Sequence, residues 1–245
     1  MFKFLRRSFR PQRKEKIKTT MPIVVKKVVN EIPFNIQKIV PKKYELNEQA
    51  FTDFRATLRN HQVEALKALD GKNVGQVNIP TGTGKTYIQK AIHIEDMIAK
   101  TKENKTGVYV IAAHRLILCS QLFKEIIDLM IRCGLKTDLL YIGSGHYPFE
   151  QLNYDYRNMG FERDYIRDTQ TTNKDIALDA VNKAIKSGHH LLIVATYHSF
   201  DCLVDFNKID ICTFDEAHST VEARFTENIG KVINKIDRKY FFTAT

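Results

Sequence analysis

Residues 74–100 read VGQVNIPTGTGKTYIQKAIHIEDMIAK, and the expected fold follows from this stretch. It begins with a short apolar run, 74–79, that predicts a buried β-strand. It ends with a longer run of helical period, 85–100. Between the two lies a loop with glycine at positions 82 and 84. A loop in this place can turn its backbone N–H groups, and the positive end of the helix dipole, toward a phosphate.

The residue types of the loop fit a nucleotide phosphate. Gly82 and Gly84 permit backbone torsions and a close approach that a β-carbon would block. Lys85 can reach the β- and γ-phosphates, and the Thr86 hydroxyl can ligate Mg²⁺. Ile79 departs from the general phosphate-loop pattern, which has glycine at that position, and a plain glycine-rich turn is the alternative. The candidate phosphate-binding residues are Pro80, Thr81, Gly82, Thr83, Gly84, Lys85 and Thr86.

A second apolar run, 209–214, ends in two adjacent acids, Asp215 and Glu216. Taken alone, such a pair is common at a solvated strand end. Because the carboxyl ends of parallel strands meet at one edge of a sheet, the pair is expected to lie near the phosphate loop. There Asp215 can hold Mg²⁺ through water, and Glu216 can polarise a water in line with the γ-phosphate.

The remaining chain alternates short apolar runs with helical periods. Strands are predicted at 108–113, 139–142, 191–195, 209–214 and 240–242, and helices at 58–69, 116–133, 174–186 and 221–236. The polar stretch 143–173 is expected to be an exposed excursion. Strands that alternate with helices of this length predict an α/β fold, a mainly parallel sheet with helices on both faces.

Charge divides the chain into two parts. The 245 residues carry a formal net charge of +10, of which residues 1–43 contribute +11 and residues 44–245 contribute −1. We therefore expect an irregular basic N-terminal arm, 1–43, followed by one domain, 44–245. The arm is interpreted as a solubilising tail, with a phosphate-contacting arm or a mitochondrial-type presequence as alternatives.

Composition excludes two classes. No window approaches the roughly 18–20 apolar residues that a membrane span needs, so an integral membrane protein is not expected. The four cysteines form no CxxC pair, which argues against a zinc site and against a disulfide scaffold. A reducing compartment is expected, with the cytoplasm of a bacterium or of a host cell as the prediction and the mitochondrial matrix as the alternative.

The chain resembles the superfamily 2 helicases of the DEAD/DEAH-box type. The resemblance rests on PTGTGKT at 80–86 and on Asp-Glu-Ala-His at 215–218. Four weaker blocks follow the family's order: LRNHQ at 58–62, AHRLILCSQ at 113–121, TYHS at 196–199 and TAT at 243–245. It spans residues 58–245 and looks closest to restriction-subunit-like and phage-type helicases. It implies the first RecA-like ATP-binding domain of that family, a P-loop NTPase fold.

The resemblance also implies residue roles. Gln62 would read the adenine edge with help from Arg59. The implied catalytic residues are Lys85, Asp215, Glu216 and His218, and the implied metal-binding residues are Thr86 and Asp215. The residues that would contact the nucleic-acid backbone are Arg115, Gln121, Thr196 and Ser199. Thr243 and Thr245 would couple hydrolysis to movement.

The expected function is the ATP-binding half of an ATP-dependent helicase or translocase. It would use ATP and Mg²⁺ and contact the backbone of DNA, or of RNA, without sequence specificity. The family's second RecA-like domain carries arginines that neutralise the γ-phosphate charge. That domain is expected in cis or in trans, so this chain alone should hydrolyse ATP weakly. A phosphotransferase is disfavoured by the Asp-Glu-Ala-His block, and a non-catalytic ATP-binding module of a larger complex is the alternative.

Overall fold

The structure is a computed structural model of the 245-residue chain, and it describes residues 45–114, 125–143, 168–221 and 223–244. The expected basic arm lies outside the described residues. So do Arg115, Gln121, Cys119 and Thr245, and most of the polar stretch that begins at residue 143.

Seven strands form one sheet in the described part of the chain. They are β1 Val74–Asn78, β2 Val108–Ala113, β3 Thr137–Ile142, β4 Asp168–Thr171, β5 His190–Thr196, β6 Ile209–Phe214 and β7 Ile236–Thr243. Their order across the sheet is β1-β7-β6-β2-β5-β3-β4. Every pairing between neighbours is parallel.

Helices cover both faces of the sheet. The α-helices are α1 Glu48–Ala56, α2 Asn60–Leu69, α3 Lys85–Lys102, the helical residues 125–132 (α4), α5 Lys174–Lys186 and α6 Ala223–Gly230. Short 3₁₀ turns span Tyr197–Leu203, Ala217–Val221 and Ile233–Lys235. None of the helices in the described ranges is both long and apolar enough to cross a membrane.

The core consists of two layers, because successive strand residues point to opposite faces. On the central strand β2, Tyr109 and Ile111 pack with buried residues of α1 to α4. Their neighbours Val110 and Ala112 pack with α5, α6 and the first 3₁₀ turn. The structure thus confirms the predicted α/β fold of RecA-like type. The described cysteines, Cys133, Cys202 and Cys212, are buried, as expected of small core residues.

The prediction of a strand within residues 74–79 is confirmed, but the prediction that this strand is buried is wrong. β1 lies at the edge of the sheet and pairs with β7 alone. Val77 is its one buried residue, and Val74 is 57% exposed. Polar or small residues at positions 75, 76 and 78 agree with an edge strand, which has fewer neighbours to cover it.

Two elements and two boundaries also differ from the sequence prediction. α1 and β4 were not predicted, and β4 adds a strand at the end of the polar stretch by pairing with β3. The helix predicted over 221–236 is shorter, since α6 ends at Gly230 and β7 already begins at Ile236. β7 is longer than predicted because β1 and β6 pair with it on both sides.

The parallel sheet brings the predicted motifs to one rim. Asn78 at the end of β1 lies opposite Thr243 at the end of β7, and Phe214 at the end of β6 lies opposite Ala112 on β2. Thr196 at the end of β5 lies opposite Ala113. The phosphate loop, the acidic pair and two weaker blocks therefore follow strand ends at the same edge.

Candidate active site

The phosphate loop joins β1 to α3, as the sequence predicts. Gly84 stands at the N-cap position of α3 in the left-handed conformation, with φ of 90°, and a β-carbon there would run into the Gln62 amide. Gly82 has φ of 79°. Because the N-cap residue Gly84 has no side chain, it does not cap the first N–H groups of the helix. The arrangement suits an anion.

The other loop residues have distinct environments. Thr83 closes the loop by donating a hydrogen bond from Oγ1 to Pro80 O at 2.5 Å. Pro80, Thr81 and Gly82 are exposed, whereas Thr86 on the first turn of α3 is half-buried. The loop also begins beside β7, because Ile79 N donates to Thr243 O at 3.2 Å.

The predicted adenine block holds the loop from one side. Gln62 is buried, and its Nε2 donates to Thr83 O at 3.1 Å and to Gly84 O at 3.2 Å. Its Oε1 accepts from Arg59 N at 2.9 Å. The neighbouring His61 reaches Thr83 O through Nε2 at 3.0 Å. Gln62 thus positions the loop, and its contact with a base stays a prediction.

A cavity of about 340 Å³ opens beside this block. It is lined by Thr57, Arg59, Gln62, Gly82, Thr83, Gly84 and Tyr87. Tyr87 is 40% exposed next to the phosphate loop, and its ring also stacks on Phe54 and contacts the Lys90 ammonium. A flat aromatic or heterocyclic group is the kind of ligand that such a ring stacks against.

Asp215 follows β6 directly and is buried at 7% exposure. Its backbone is fixed on both sides, since its N donates to Ala112 O at 2.7 Å and its O accepts from Tyr197 Oη at 2.5 Å. Its Oδ1 accepts from Gln89 Nε2 at 3.0 Å. Burial, together with the negative charge of Glu216, raises the pKa of the Asp215 carboxyl above its usual range. A cation would relieve this cost.

Glu216 links the acidic pair to the phosphate loop. Its Oε1 lies 2.8 Å from Lys85 Nζ, and both side chains are largely buried. Glu216 also has φ of 50°, a conformation that non-glycine residues rarely adopt. Such backbone strain is typical of functional sites, where the surrounding structure holds it in place.

The predicted catalytic His218 lies against the predicted coupling residue Thr243. His218 Nδ1 is 3.1 Å from Thr243 Oγ1 and 3.5 Å from Glu216 Oε2. Thr243 Oγ1 also lies within hydrogen-bond distance of Ala244 O, at 3.1 Å. The ends of β6 and β7 are thereby connected through side chains beside Glu216.

The donor types at this rim suit Mg²⁺. No group of three or more His, Cys, Asp or Glu side chains within the described ranges gathers as a metal site. Mg²⁺ needs fewer protein ligands when a nucleotide is present, because phosphates and waters complete its shell. A buried carboxylate, Asp215, and a hydroxyl, Thr86, on the same rim are donors of this kind.

The predicted contact residues of the nucleic-acid block at 196–199 are less exposed than expected. Thr196 is only 6% exposed, which leaves little of its surface for a phosphate, and Ser199 in the following 3₁₀ turn is half-buried. Two neighbours, Tyr197 and His198, pack their rings against the buried Phe225 of α6. The block is therefore attached to the helix that follows Asp-Glu-Ala-His.

Two functional neighbours of Asp215 were missed from the sequence. Tyr197 and Gln89 both bond to it, through its backbone and its carboxylate respectively. Gln89 lies four residues after Lys85, a spacing that places both side chains on the same face of α3. That spacing was a signal in the sequence, whereas the Tyr197 contact depends on how β5 and β6 lie in the sheet.

Comparison with a solved structure agrees with the fold. The chain is similar to a structure described as a nuclease-deletion mutant of the Type ISP restriction-modification enzyme LlaGI in complex with a DNA substrate mimic, with a TM-score of 0.55 and 20% identity. The match covers 77% of this chain and 17% of that chain. At this identity the likeness supports the RecA-like fold alone. A comparison with curated protein sequences finds no match.

A family model gives the assignment. The model described as "Type III restriction enzyme, res subunit" matches residues 55–245, most of the chain. The match includes the phosphate loop, the acidic pair and the predicted blocks between and after them. It confirms the resemblance to restriction-subunit-like helicases of superfamily 2, in their first RecA-like domain. The chain belongs to the Type III restriction enzyme res-subunit family.

Proposed function

We propose that this chain is the ATP-binding half of an ATP-dependent nucleic-acid translocase of helicase type. The observation that carries the proposal is the 2.8 Å ion pair between Lys85 Nζ and Glu216 Oε1. It joins the phosphate loop to the acidic strand end across 131 residues of sequence. The groups that nucleotide hydrolysis needs to bind phosphate and to activate water are therefore neighbours. Membership of the family supports the same reaction.

In the proposed mechanism Lys85 binds the β- and γ-phosphates, and the N–H groups of the loop add to the anion site. Thr86 and Asp215 hold Mg²⁺, which neutralises phosphate charge when bound. The phosphates compete with Glu216 for the Lys85 ammonium. Once Lys85 pairs with phosphate, the Glu216 carboxylate can accept a proton from the attacking water, with His218 beside it.

The nucleoside is proposed to occupy the cavity between Arg59, Gln62 and Tyr87. Tyr87 would stack on the base, and the exposed Arg59 would approach its edge. Because Gln62 already holds the loop through Thr83 O and Gly84 O, base binding at Gln62 and the shape of the phosphate site are mechanically connected.

Nucleic acid is proposed to contact this half at the same rim. The relative LlaGI is described in complex with a DNA substrate mimic, and we propose DNA, or RNA, as the partner here. Of the four residues that the resemblance implies, Arg115, Gln121 and Ser199 are the proposed contacts with the nucleic-acid backbone, without sequence specificity, whereas Thr196 is buried. A second RecA-like domain, in cis or in trans, would supply arginines to the γ-phosphate, a contribution of roughly 10³- to 10⁵-fold in related NTPases.

The decisive experiment measures ATP hydrolysis by the 245-residue chain with and without single-stranded DNA, double-stranded DNA and RNA. We expect slow hydrolysis that requires Mg²⁺ and that Lys85→Ala reduces by about 10²-fold or more. Tight ATP binding without hydrolysis under every condition would favour a non-catalytic ATP-binding module instead. Hydrolysis that Lys85→Ala leaves unchanged would contradict the proposal.

A further inference from the structure

A continuous chain of buried polar side chains runs from α3 to Asp215. Gln89 Nε2 lies 3.0 Å from Asp215 Oδ1, and Gln89 Oε1 lies 3.1 Å from Thr213 Oγ1. Thr213 Oγ1 in turn lies 3.0 Å from His93 Nε2. All four residues are buried, with exposures of 0–7%. Polar groups at such depth are costly unless hydrogen-bonded, so this chain is a specific feature of the core.

The sequence spacing explains why the chain forms. Lys85, Gln89 and His93 are four residues apart along α3 and share one helix face. Thr213 and Asp215 are two residues apart along β6 and its end, and so point to the same side of the sheet. The packing of this helix face on this strand therefore aligns polar residues that are about 120 residues apart in sequence.

The protons of the chain have one consistent assignment. An ionised Asp215 only accepts hydrogen bonds, so Gln89 must present its NH₂ group to Asp215 and its oxygen to Thr213. The Thr213 hydroxyl then donates its single proton to Gln89 Oε1, and its oxygen must accept a hydrogen bond from His93 Nε2–H. Every donor in the chain therefore points toward the Asp215 carboxylate.

His93, the last side chain in this row of hydrogen bonds, is consistent with donors that point toward Asp215. His93 is completely buried, and burial followed by the positive charge of Arg238 lowers its pKa to about 3. Its ring is therefore neutral and carries one proton, which Thr213 holds at Nε2. Its other nitrogen, Nδ1, has no hydrogen-bond partner within the described residues. The unpaired Nδ1 atom lowers the stability of the fold, and the hydrogen bonds among the other side chains of this row offset that loss.

We propose that Gln89, Thr213 and His93 are positioning residues that fix the Asp215 carboxylate for Mg²⁺. This inference rests on the proposed function. The hydrogen bond from Gln89 to Asp215 Oδ1 restrains rotation of the carboxyl group against the repulsion of the adjacent Glu216. Partners of metal-binding side chains at this distance typically contribute 10- to 100-fold to metal affinity. A merely structural set of hydrogen bonds would contribute to folding and leave metal affinity alone.

The first test replaces Gln89 by methionine, which keeps the side-chain length and removes both of its hydrogen bonds. Binding of Mn²⁺, as a probe for Mg²⁺, is followed by electron paramagnetic resonance in the presence of a non-hydrolysable ATP analogue. We expect Mn²⁺ affinity to fall by about 10- to 100-fold. Binding of a fluorescent ADP in EDTA should be unchanged.

The matched control is Ile94→Ala, at a fully buried position on the same helix that takes no part in the polar chain. It should lower the melting temperature and leave Mn²⁺ affinity at the wild-type value. If Ile94→Ala and Gln89→Met lose Mn²⁺ affinity equally, the effect comes from general destabilisation and the positioning role is contradicted.

A second pair of variants decides the question if Gln89→Met does not fold. Thr213→Val removes the hydroxyl at constant shape, and Thr213→Ser restores it. We expect weaker Mn²⁺ binding in the valine variant and recovery in the serine variant. Wild-type affinity in both would overturn the positioning role while leaving the proposed function intact. Absence of nucleotide-dependent Mn²⁺ binding in the wild type would contradict the proposed function itself.

Discussion

Two buried aspartates at opposite ends of β6, Asp210 and Asp215, show how the two ends of the sheet differ. Asp210, near the start of the strand, accepts from Lys100 Nζ at 2.6 Å and from Val108 N at 2.8 Å, and Lys208 is nearby. Burial favours its neutral form, but these donors outweigh burial and hold the pKa of Asp210 below its usual range. Asp210 is thus a carboxylate that the protein itself neutralises.

Asp215, just after the other end of β6, is the opposite case. Burial and Glu216 raise its pKa, and the nearest lysine, Lys85, is paired with Glu216 instead. Within the described part of the chain no cation forms an ion pair with this carboxylate, and the nearby Lys85 only partly offsets the effects that raise its pKa. Equally buried carboxylates can therefore have opposite pKa shifts, and the charges of their neighbours decide the direction.

The largest expected effect is on chemistry at the Asp215 end. Glu216→Gln removes the group proposed to accept the proton of the attacking water, while keeping its shape. We expect ATP hydrolysis to fall by about 10²- to 10⁴-fold and ATP binding to be retained or strengthened, because Lys85 loses a competing anion. Phosphate release and analogue binding measure the two quantities. The exposed Glu103→Gln is the control, and equal hydrolysis in the two variants would argue against this role for Glu216.

The second prediction separates the two aspartates directly. Asp210→Asn loses charge-assisted hydrogen bonds to Lys100 and should lower the free energy of unfolding by about 1.5–3 kcal/mol. Asp215→Asn removes a buried charge whose pKa is raised, so at neutral pH it should stabilise the fold while weakening Mg²⁺-dependent nucleotide binding. Urea unfolding of both variants measures this. Destabilisation of similar size in the two would erase the distinction.

The third prediction concerns pH at the amino end of the sheet. Burial, followed by Lys100, lowers the pKa of His190 to about 4 from its ordinary value of 6.5. The unfolded chain therefore binds this proton before the folded chain does. The contribution of His190 to stability is complete above about pH 6.5 and should fall by about 1.4 kcal/mol per pH unit between that value and about 4.

The imidazole of His190 accepts from Gly107 N and contacts Thr101 Oγ1. Urea unfolding between pH 4 and 7 measures the slope, and His190→Gln should reduce it. A slope unaffected by this substitution would mean that His190 does not control acid stability. His93, whose pKa is also lowered, should account for the slope that remains.

The sequence predicted the sheet and its rim because their signals are local. Glycine at 84 before Lys85, and acids at 215 and 216 after an apolar run, each mark a chain segment that needs no distant partner to be recognised. The rule that ligands lie beyond the carboxyl ends of parallel strands then brought the segments together. The 2.8 Å contact between Lys85 and Glu216 agrees with that step.

The sequence did not predict features that depend on which strands are neighbours. The short apolar run 74–79 was predicted to be a buried strand, yet β1 lies at the sheet edge. The contact of Gln89 with Thr213 requires α3 to pack on β6, and strand order is not visible in local periodicity. The position of β4 beside β3 depends on pairing in the same way.

We propose that the phosphate loop and the end of β6 form one Mg²⁺–ATP site. Calorimetric titration of the chain with a non-hydrolysable ATP analogue, in the presence and absence of Mg²⁺, tests this most directly. We expect one site per chain, tighter with Mg²⁺, that Lys85→Ala abolishes and Asp215→Asn makes insensitive to Mg²⁺. Binding of the analogue that neither substitution alters, or no binding by the wild-type chain, would contradict it.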